Sequence, residues 1–355
     1  MMMETRRLDQ ILENFSQTRV SVLGDFFLDL YIKMDRSLSE FSIETHKEAF
    51  QAVDLRGQPG AAGVVNNNLS ALGAQHAAIG YIGYDGNGYT LRNALAERGA
   101  DTTHLIETMD RFTPTYTKPM MKELDGEHVE LNRIDIVNRS PNPDSLNATL
   151  VDLVQQATHS YKGILVVEQI KQDGFGVMSP ALRQTLSELA GQNLDSIIMV
   201  DSRHFGAAYQ NVSLKMNIHE ATNAAAELTG RNPENFAADL IVAAEDCSRI
   251  LWEVQRRPVF ITLGDQGVCG MDNDQFFHFP GYQVKGPIDI VGAGDSVLAG
   301  IGLSMCAGAT SWEAAYIGNL VGSITVQQLG TTGIATQADV LRRHHEYQQQ
   351  LKGII

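Results

Sequence analysis

The sequence is poor in the features that mark several large classes of protein. Its 355 residues include only three cysteines, and none of them forms a CxxC pair, so neither a disulfide framework nor a zinc knuckle is indicated. No stretch reaches the roughly 18 uninterrupted apolar residues of a membrane-spanning helix. The first 20 residues are charged and lack the apolar block of a signal peptide. We therefore expect a cytoplasmic protein.

Basic side chains are also scarce, with 27 Lys and Arg against 42 Asp and Glu and a formal net charge of −15. Nucleic acids and anionic membrane surfaces need clustered cations, so we expect neither as a partner. The 43% share of hydrophobic residues and the 19% share of charged residues predict a globular chain. No repeat, low-complexity segment or Pro-rich or Ser-rich linker divides it, which favours one main domain.

Two common nucleotide-binding motifs are missing. The P-loop pattern GxxxxGK[ST] does not occur. The glycine-rich stretch at residues 80–88 (GYIGYDGNG) does not place GxGxxG between a first strand and its helix. The sequence therefore disfavours a P-loop NTPase and a dinucleotide-dependent dehydrogenase.

Short apolar runs alternate with segments of helical periodicity along the chain. Apolar runs of this kind are buried on both faces, as in a parallel sheet covered by helices. The pattern predicts an α/β sandwich with a mainly parallel central sheet. The predicted strands are residues 19–23, 77–82, 163–167, 197–200 and 259–262, and the first predicted helices are residues 64–72 and 89–98.

Two segments break this alternation. Residues 37–58 are polar and mixed, and residues 112–134 look like a hairpin that turns at Asp125 and Gly126. Such segments either cover a site at the strand ends as a small β lid or form an ordinary edge elaboration. The predicted divisions are a helical lead at residues 1–19, a main domain at residues 20–340 and a helical tail at residues 341–355.

The most informative segment is residues 289–296 (DIVGAGDS), which opens an apolar helix. A turn formed by Gly292, Ala293 and Gly294 points backbone N–H groups and the positive end of the helix dipole at one spot, which favours an anion. Asp295 would either cap the helix or accept a proton from an alcohol that attacks a bound phosphoryl group. The spacing leaves both roles open.

The same segment resembles the signature of the ribokinase (PfkB) family of carbohydrate kinases. The resemblance implies a three-layer α/β/α sandwich with a small β lid, and transfer of the γ-phosphate of ATP to a sugar hydroxyl. It extends from about residue 20 to residue 335. The supporting motifs, in the family's order, are residues 24–29 (GDFFLD), 59–63 (PGAAG), 83–88 (GYDGNG), 217–220 (NIHE) and 262–267 (TLGDQG).

The resemblance implies a role for each part of the site. Asp295 would be the base, and the loop amides would stabilise charge in the transition state. Asn217 and Glu220 would organise Mg²⁺ through water, and Asp289 would hold a monovalent cation such as K⁺. Glu220 could equally stabilise its helix as a first-turn acid without a metal. Contacts with the nucleotide are expected from Thr262, Gly264, Gly267 and Asn319.

Contacts with the sugar are implied for a second set of residues. Within the family, the chain is most similar to the kinase half of bacterial heptose-phosphate kinase/adenylyltransferases, which suggests cations for a phosphate already on the sugar. Surface solvation is the alternative for each cation. The implied sugar contacts are Asp25, Asp29, Gly60, Ala61, Asn68 and Glu168, and the implied cations are Lys118, Arg133 and Lys171.

One departure from that subgroup concerns the sugar loop. Residues 60–64 read GAAGV where the subgroup has GGAAN, and Val64 cannot supply the hydrogen bond of the asparagine. A sugar or sugar phosphate and ATP remain the expected substrates, with a nucleoside or small-alcohol kinase and a catalytically silent sugar sensor as alternatives. Since no HxGH motif is present, we expect the kinase step alone. The resemblance also implies a homodimer formed through the lid.

Overall fold

The computed structural model describes residues 3–193 and 195–353. Residues 1, 2, 354 and 355, at the ends of the predicted lead and tail, lie outside the described residues. The strands, in chain order, are β1 (Arg19–Gly24), β2 (Phe26–Asp35), β3 (Glu40–Phe41), β4 (Glu48–Ala49), β5 (Ala52–Ala61), β6 (Gln75–Gly83), β7 (Leu105–Thr108), β8 (Thr115–Lys122), β9 (His128–Glu130), β10 (Ile134–Ile136), β11 (Gly163–Glu168), β12 (Ile197–Ser202), β13 (Ser213–Asn217), β14 (Val259–Thr262), β15 (Val268–Asp272) and β16 (Gln275–Phe279).

The α-helices are α1 (Thr5–Phe15), α2 (Ala62–Ala71), α3 (Gly86–Glu97), α4 (Asp144–Ser160), α5 (Pro180–Gln192), α6 (Ile218–Thr229), α7 (Leu240–Gln255), α8 (Ala293–Cys306), α9 (Ser311–Thr325) and α10 (Gln337–Leu351). Within the two described ranges, none of these helices has the length and hydropathy needed to cross a membrane. The predicted lead contains α1, and residues 341–351 of the predicted tail lie in α10, which begins at Gln337.

The main sheet has the strand order β16-β15-β14-β13-β12-β11-β1-β6-β7. Every pair from β14 to β7 is parallel, whereas β15 and β16 add an antiparallel edge. Each of the five apolar runs that predict strands lies in this sheet. The prediction of a mainly parallel central sheet is therefore confirmed.

Alternating side chains of the central strands enter two separate cores. On β11, Leu165 and Val167 pack with helices α1, α2, α8, α9 and α10, while Ile164 and Val166 pack with α4, α5, α6 and α7. All four side chains are fully buried, which is how a continuous apolar run becomes a central strand. The α/β/α sandwich expected from the sequence is confirmed.

A small sheet of order β10-β8-β2-β5, with β9 paired to β8, lies beside the main one. The hairpin predicted at residues 112–134 is present as β8 and β9, and its turn includes Gly126 at φ +87°. Strand β2 also belongs to the small sheet, which the sequence pattern did not indicate. The chain leaves the main sheet at Gly24, where a Cβ would lie 2.1 Å from the Val167 carbonyl oxygen, so only glycine fits.

Candidate active site

A cavity of about 470 Å³ opens between the small sheet and the carboxyl end of the main sheet. Ligands of open parallel sheets bind outside the carboxyl ends of the strands, which is where this cavity lies. The polar and aromatic residues along its wall include Asp25, Phe27, Tyr116, Arg139, Gln169 and Lys171.

Asp295 lies in the first turn of α8, whose N-cap is Gly292 with φ +77°. The Asp295 carboxylate accepts a hydrogen bond from the side-chain amide of Gln169, with 3.4 Å between Nε2 and Oδ1. Gln169 lines the cavity. The carboxylate therefore faces the cavity wall, and none of its described hydrogen bonds caps α8.

The charges around Asp295 set its acidity. The pKa of Asp295 is raised to about 7, chiefly by burial; repulsion from Asp201 and Glu220 contributes to the rise, whereas Lys215 and Arg203 oppose it. A carboxyl group with a pKa near 7 is divided between its two protonation states at neutral pH. It can therefore take a proton from an alcohol and release it again.

The loop before α8 presents backbone N–H groups. The N–H of Ala293 donates to the Ile290 carbonyl at 3.1 Å, which occupies one of the three amides named from the sequence. Those of Gly292 and Gly294 have no hydrogen-bond acceptor in the described part of the chain. The described bonds thus leave the two glycine amides available to an anion.

Lys215 on β13 is a site residue that the sequence reasoning missed. Its Nζ lies 2.6 Å from Oδ2 of Asp201, and both side chains are buried. Burial lowers the pKa of Lys215, but the charge and hydrogen bond of Asp201 outweigh burial and the net shift is upward. The ammonium group also approaches Gly294, where a Cβ would lie 3.1 Å from Nζ. A lone lysine between Leu214 and Met216 was the available signal.

Asn217 and Glu220 form a capping box where β13 meets α6. The Glu220 N–H donates to Asn217 Oδ1 at 3.0 Å, and the Asn217 N–H donates to Glu220 Oε2 at 2.8 Å. Burial raises the pKa of Glu220, and Asp201 raises it further. In the described ranges, no three His, Cys, Asp or Glu side chains converge as a metal site. The pair caps its helix and leaves Glu220 Oε1 without a described hydrogen-bond partner.

The predicted nucleotide contacts at the end of β14 and in the loop after it differ in their surroundings. Thr262 is half-buried, and its hydroxyl donates to the Met216 carbonyl at 3.4 Å. Gly264 is exposed, with φ +63°. Gly267 is buried with φ +92°, and a Cβ there would lie 2.1 Å from the Phe279 carbonyl oxygen. Gly267 therefore has a structural reason to be glycine, independent of a nucleotide.

Two further residues, predicted to contact the nucleotide and a monovalent cation, hold loops in place. Asn319 is buried on α9 and donates to the Pro280 carbonyl at 2.9 Å. The Asp289 carboxylate accepts hydrogen bonds from the N–H groups of Val291 and Gly330, each at 3.0 Å. Asp289 thus connects the loop before α8 to the loop after α9.

Asp25 lies on the cavity wall, but its carboxylate is already engaged. It accepts backbone hydrogen bonds from Gln169 at 2.8 Å, Ile170 at 3.2 Å and Val177 at 2.7 Å. Burial raises the pKa of Asp25 to about 6, although the three N–H groups lower it. These bonds favour a structural role, and a direct contact with sugar stays a prediction.

Glu168 is also surrounded by protein donors. Arg183 donates to Oε1 from Nε at 2.9 Å and from Nη2 at 2.7 Å. Ser202 and Tyr209 donate to Oε2 at 2.7 and 2.8 Å. Since both oxygens have two donors, the observed network favours a role in the framework, and the predicted sugar contact remains untested.

The small sheet carries the next group of predicted residues. Asp29 pairs with Lys118 at 2.9 Å between Oδ1 and Nζ, and Tyr31 lies beneath the ammonium group. A Cβ at Gly60 would lie 2.8 Å from Asp29 Oδ2, so Asp29 rests against the backbone at Gly60. Arg133 pairs with its neighbour Asp135 at 2.7 Å. Lys118 and Arg133 are therefore both neutralised within the chain.

Three cations near the cavity have no ion pair among the described residues. Lys171 and Arg139 line the cavity, and Arg203 follows β12 close enough to lower the pKa of Asp295. All three are exposed. Only Lys171 is among the cations named from the sequence, because Arg139 and Arg203 belong to no motif.

Ala61 and Asn68 lie before and within α2. Ala61 is the N-cap and adopts φ +50° and ψ −116°, a conformation suited to glycine. Asn68 is fully buried, and its amide donates to the carbonyls of Val64 and Gly333 at 3.1 and 3.2 Å. Its described bonds hold α2 to the loop after α9, away from the cavity wall.

Comparison with known sequences supports the resemblance. The family description "pfkB family carbohydrate kinase" matches residues 17–338. The bifunctional protein HldE of Citrifermentans bemidjiense is 28% identical over 97% of this chain and 67% of its own length. HldE of Caulobacter vibrioides is 29% identical over 92% of this chain and 63% of its own length. The chain thus spans about two thirds of these curated relatives.

Solved structures show the same fold. Phosphofructokinase-2 from Escherichia coli, in complex with substrates and products, aligns with a TM-score of 0.69 at 19% identity, covering 93% of this chain and 100% of that one. Ribokinase from Cryptococcus neoformans, in complex with ADP, aligns with a TM-score of 0.63 at 18% identity, covering 92% and 99%. With a ribokinase-like fold and a family match over nearly its whole length, the chain belongs to the pfkB family of carbohydrate kinases.

Proposed function

We propose that the protein transfers the γ-phosphoryl group of ATP to a hydroxyl of a sugar phosphate, with Asp295 as the base. The observation that supports this most is the position of Asp295, which lies at the start of α8 and contacts Gln169 on the cavity wall. Its pKa of about 7 suits reversible proton transfer.

The proposed step uses the described groups as follows. A sugar hydroxyl oxygen attacks the γ-phosphorus, the bond from that phosphorus to the bridging oxygen breaks, and ADP leaves. The hydroxyl proton passes to Asp295. The N–H groups of Gly292 and Gly294, with the ammonium group of Lys215, stabilise the negative charge on the phosphoryl oxygens.

The unpaired cations favour a phosphorylated acceptor. Lys171 and Arg139 line the cavity, and a sugar phosphate would bring a dianion to a protein whose net charge is −15. Because the net negative charge of the protein repels this dianion, cations in the cavity must attract it locally. A nucleoside or neutral alcohol would not need these cations, and a silent sensor would not need the base.

The proposal also assigns residues to magnesium and potassium. Repulsion from Asp201 raises the pKa of Glu220, and repulsion from Asp201 and Glu220 raises the pKa of Asp295, which supports an excess of negative charge that a divalent cation would relieve. Glu220 and Asn217 would hold Mg²⁺ through water, and Mg²⁺ would neutralise the phosphates of bound ATP. We propose a K⁺ site at Asp289, next to the turn formed by Gly292, Ala293 and Gly294, which we call the anion loop.

We also propose that two copies pair through the small sheet. Strand β5 is an edge strand of that sheet, and Val53 and Leu55 on it are 57% and 66% exposed. Antiparallel pairing of two copies about Leu55 would place Asp54 opposite the partner copy's Arg56, which gives complementary charges. Equilibrium sedimentation should show a dimer that Leu55→Lys dissociates, whereas a wild-type monomer would contradict the proposal.

The test of activity is a coupled assay of ADP release with Mg²⁺, with and without K⁺, over hexoses, pentoses, heptose phosphates and nucleosides. We expect turnover with a sugar phosphate and its loss in Asp295→Asn. Turnover that survives unchanged in Asp295→Asn would overturn the mechanism. A compound that raises the melting temperature without ADP release would favour the sensor instead.

A charge-matched pair of variants tests the acceptor's phosphate. Lys171→Gln should raise KM for the phosphorylated sugar about tenfold or more, since a charge-assisted contact is lost, and leave KM for its unphosphorylated analogue unchanged. Lys352→Gln, at the exposed end of α10, removes the same charge far from the cavity and serves as the control. Equal effects on both sugars would count against a phosphate site at Lys171.

A further inference from the structure

The segment at residues 169–177 forms one side of the cavity and is organised around a single carboxylate. Asp25 accepts hydrogen bonds from both ends of the segment, through Gln169 at 2.8 Å and Val177 at 2.7 Å. The Asp25 side chain is 3% exposed. A buried carboxylate that bridges backbone N–H groups fixes the path of the chain between them.

The rest of the segment closes tightly over this carboxylate. A Cβ at Gly176 would lie 2.5 Å from Asp25 Oδ1, so a larger residue there would displace the carboxylate. Asn142 donates to the Gly176 carbonyl at 2.7 Å, and Tyr81 donates to the Phe175 carbonyl at 3.1 Å. The segment is therefore held from three directions, with Asp25 at its centre.

Gln169 joins this arrangement to the base. Its backbone N–H donates to Asp25, and its side-chain amide donates to Asp295 Oδ1 at 3.4 Å. One residue thus links two carboxylates that are 270 positions apart in the sequence. A shift of the Gln169 backbone would move the amide that contacts the base.

We infer that Asp25 is a positioning residue, which fixes Gln169 so that the Gln169 amide orients the Asp295 carboxylate toward the acceptor hydroxyl. This inference rests on the proposed role of Asp295 as the base. It assigns Asp25 no direct contact with sugar, since its oxygens are bound to backbone donors. Gln169 is a positioning residue as well, because it acts by orienting the carboxylate that takes the proton.

The first test measures kcat and KM for Asp25→Asn, Gln169→Met and the double variant. Each single change should lower kcat about tenfold or more, since misplacing the base by a fraction of an ångström is costly. KM for ATP should stay at its wild-type value. The double variant should be no slower than the slower single variant, because both changes break the same connection.

Additive losses in the double variant would overturn the inference, and so would an Asp25→Asn enzyme with wild-type kcat. A large rise in KM for the acceptor with unchanged kcat would instead indicate that Asp25 binds the sugar. Asp239→Asn is the matched control, because Asp239 also accepts two backbone hydrogen bonds, at the start of α7, and should leave kcat unchanged.

A second measurement does not depend on activity. Amide hydrogen exchange should speed up at Gln169 and Val177 in Asp25→Asn and stay unchanged there in Asp239→Asn. Unchanged exchange at both amides in Asp25→Asn would overturn the positioning role even if no acceptor were found. Faster exchange in a protein that never releases ADP would instead leave the loop contacts supported and refute the proposed kinase function.

Discussion

Lys215 donates a 2.6 Å hydrogen bond to Asp201 while its ammonium group lies below Gly294 in the anion loop. The pair is buried, so the attraction between the two charges is weakly screened. Asp201 thereby keeps Lys215 protonated and in place beneath the loop that opens α8. The main sheet thus supplies the proposed phosphoryl site with a fixed positive charge, although the chain as a whole is acidic.

We predict that Lys215→Met lowers kcat about 100-fold or more, because a positive charge beside Gly294 in the anion loop is removed. The change also leaves Asp201 buried and unpaired, which costs about 3–5 kcal/mol of folding free energy. The double variant Lys215→Met/Asp201→Asn removes both charges and should recover much of the stability without recovering kcat. Recovery of kcat in the double variant would mean that Lys215 acts only on folding.

The pH profile should report the acidity of Asp295. Since burial raises its pKa to about 7, the fraction of ionised base falls as the pH drops below 7, and kcat should fall with it. Asp201→Asn removes a repelling charge, while Glu220 and Asp295 still favour the protonated form of Lys215, so the midpoint should move to lower pH. A midpoint that stays fixed in Asp201→Asn would contradict this account of the charges.

The sequence predicted the central sheet well because a strand that is buried on both faces has a continuous apolar run. Residues 163–167 are apolar throughout, and the structure buries them between two helical layers as β11. The motif residues Asn217 and Thr262 follow strand cores, so the parallel arrangement brings them to one edge of the sheet. Order along the chain was enough to place these residues on the same side.

The sequence could not predict contacts that depend on how helices pack against the sheet. Glu168 ends β11, but its bonds to Arg183 come from α5, and no local rule aims that arginine inward. The motif of Asp25 predicts a sugar contact, but it does not predict that the segment at residues 169–177 wraps around this carboxylate. Contacts between residues that are far apart in the sequence could be identified only from the folded structure.

The backbone at Ala61 predicts a stabilising substitution. Its φ of +50° and ψ of −116° are strained for a side chain with a Cβ and comfortable for glycine. Ala61→Gly should raise the free energy of unfolding by about 1 kcal/mol, measured by urea denaturation. Ala62→Gly, one residue later inside α2, should lower it by about 1 kcal/mol. A loss of stability in Ala61→Gly would show that the strain is absent.

Asp295 should also cost the protein stability at high pH. Its folded pKa of about 7 lies above the ordinary value of 3.8, so between these values the folded state binds more protons than the unfolded state. Stability must then fall as the pH rises through this window. Asparagine stays neutral, and Asp295→Asn should therefore raise the melting temperature more at about pH 8 than at about pH 4.5.

Asp101 provides a control of opposite sign. Hydrogen bonds from Thr103 hold its pKa below the ordinary value, so its contribution is present at neutral pH and is lost as the pH falls. Asp101→Asn should accordingly lower the melting temperature by similar amounts at about pH 8 and about pH 4.5, both of which lie above the ordinary value of 3.8, and should have less effect at about pH 2. Equal changes of the melting temperature in Asp295→Asn at about pH 8 and about pH 4.5 would mean that folding does not raise the pKa of Asp295. The proposal that burial raises the pKa of the base would then lose its thermodynamic support.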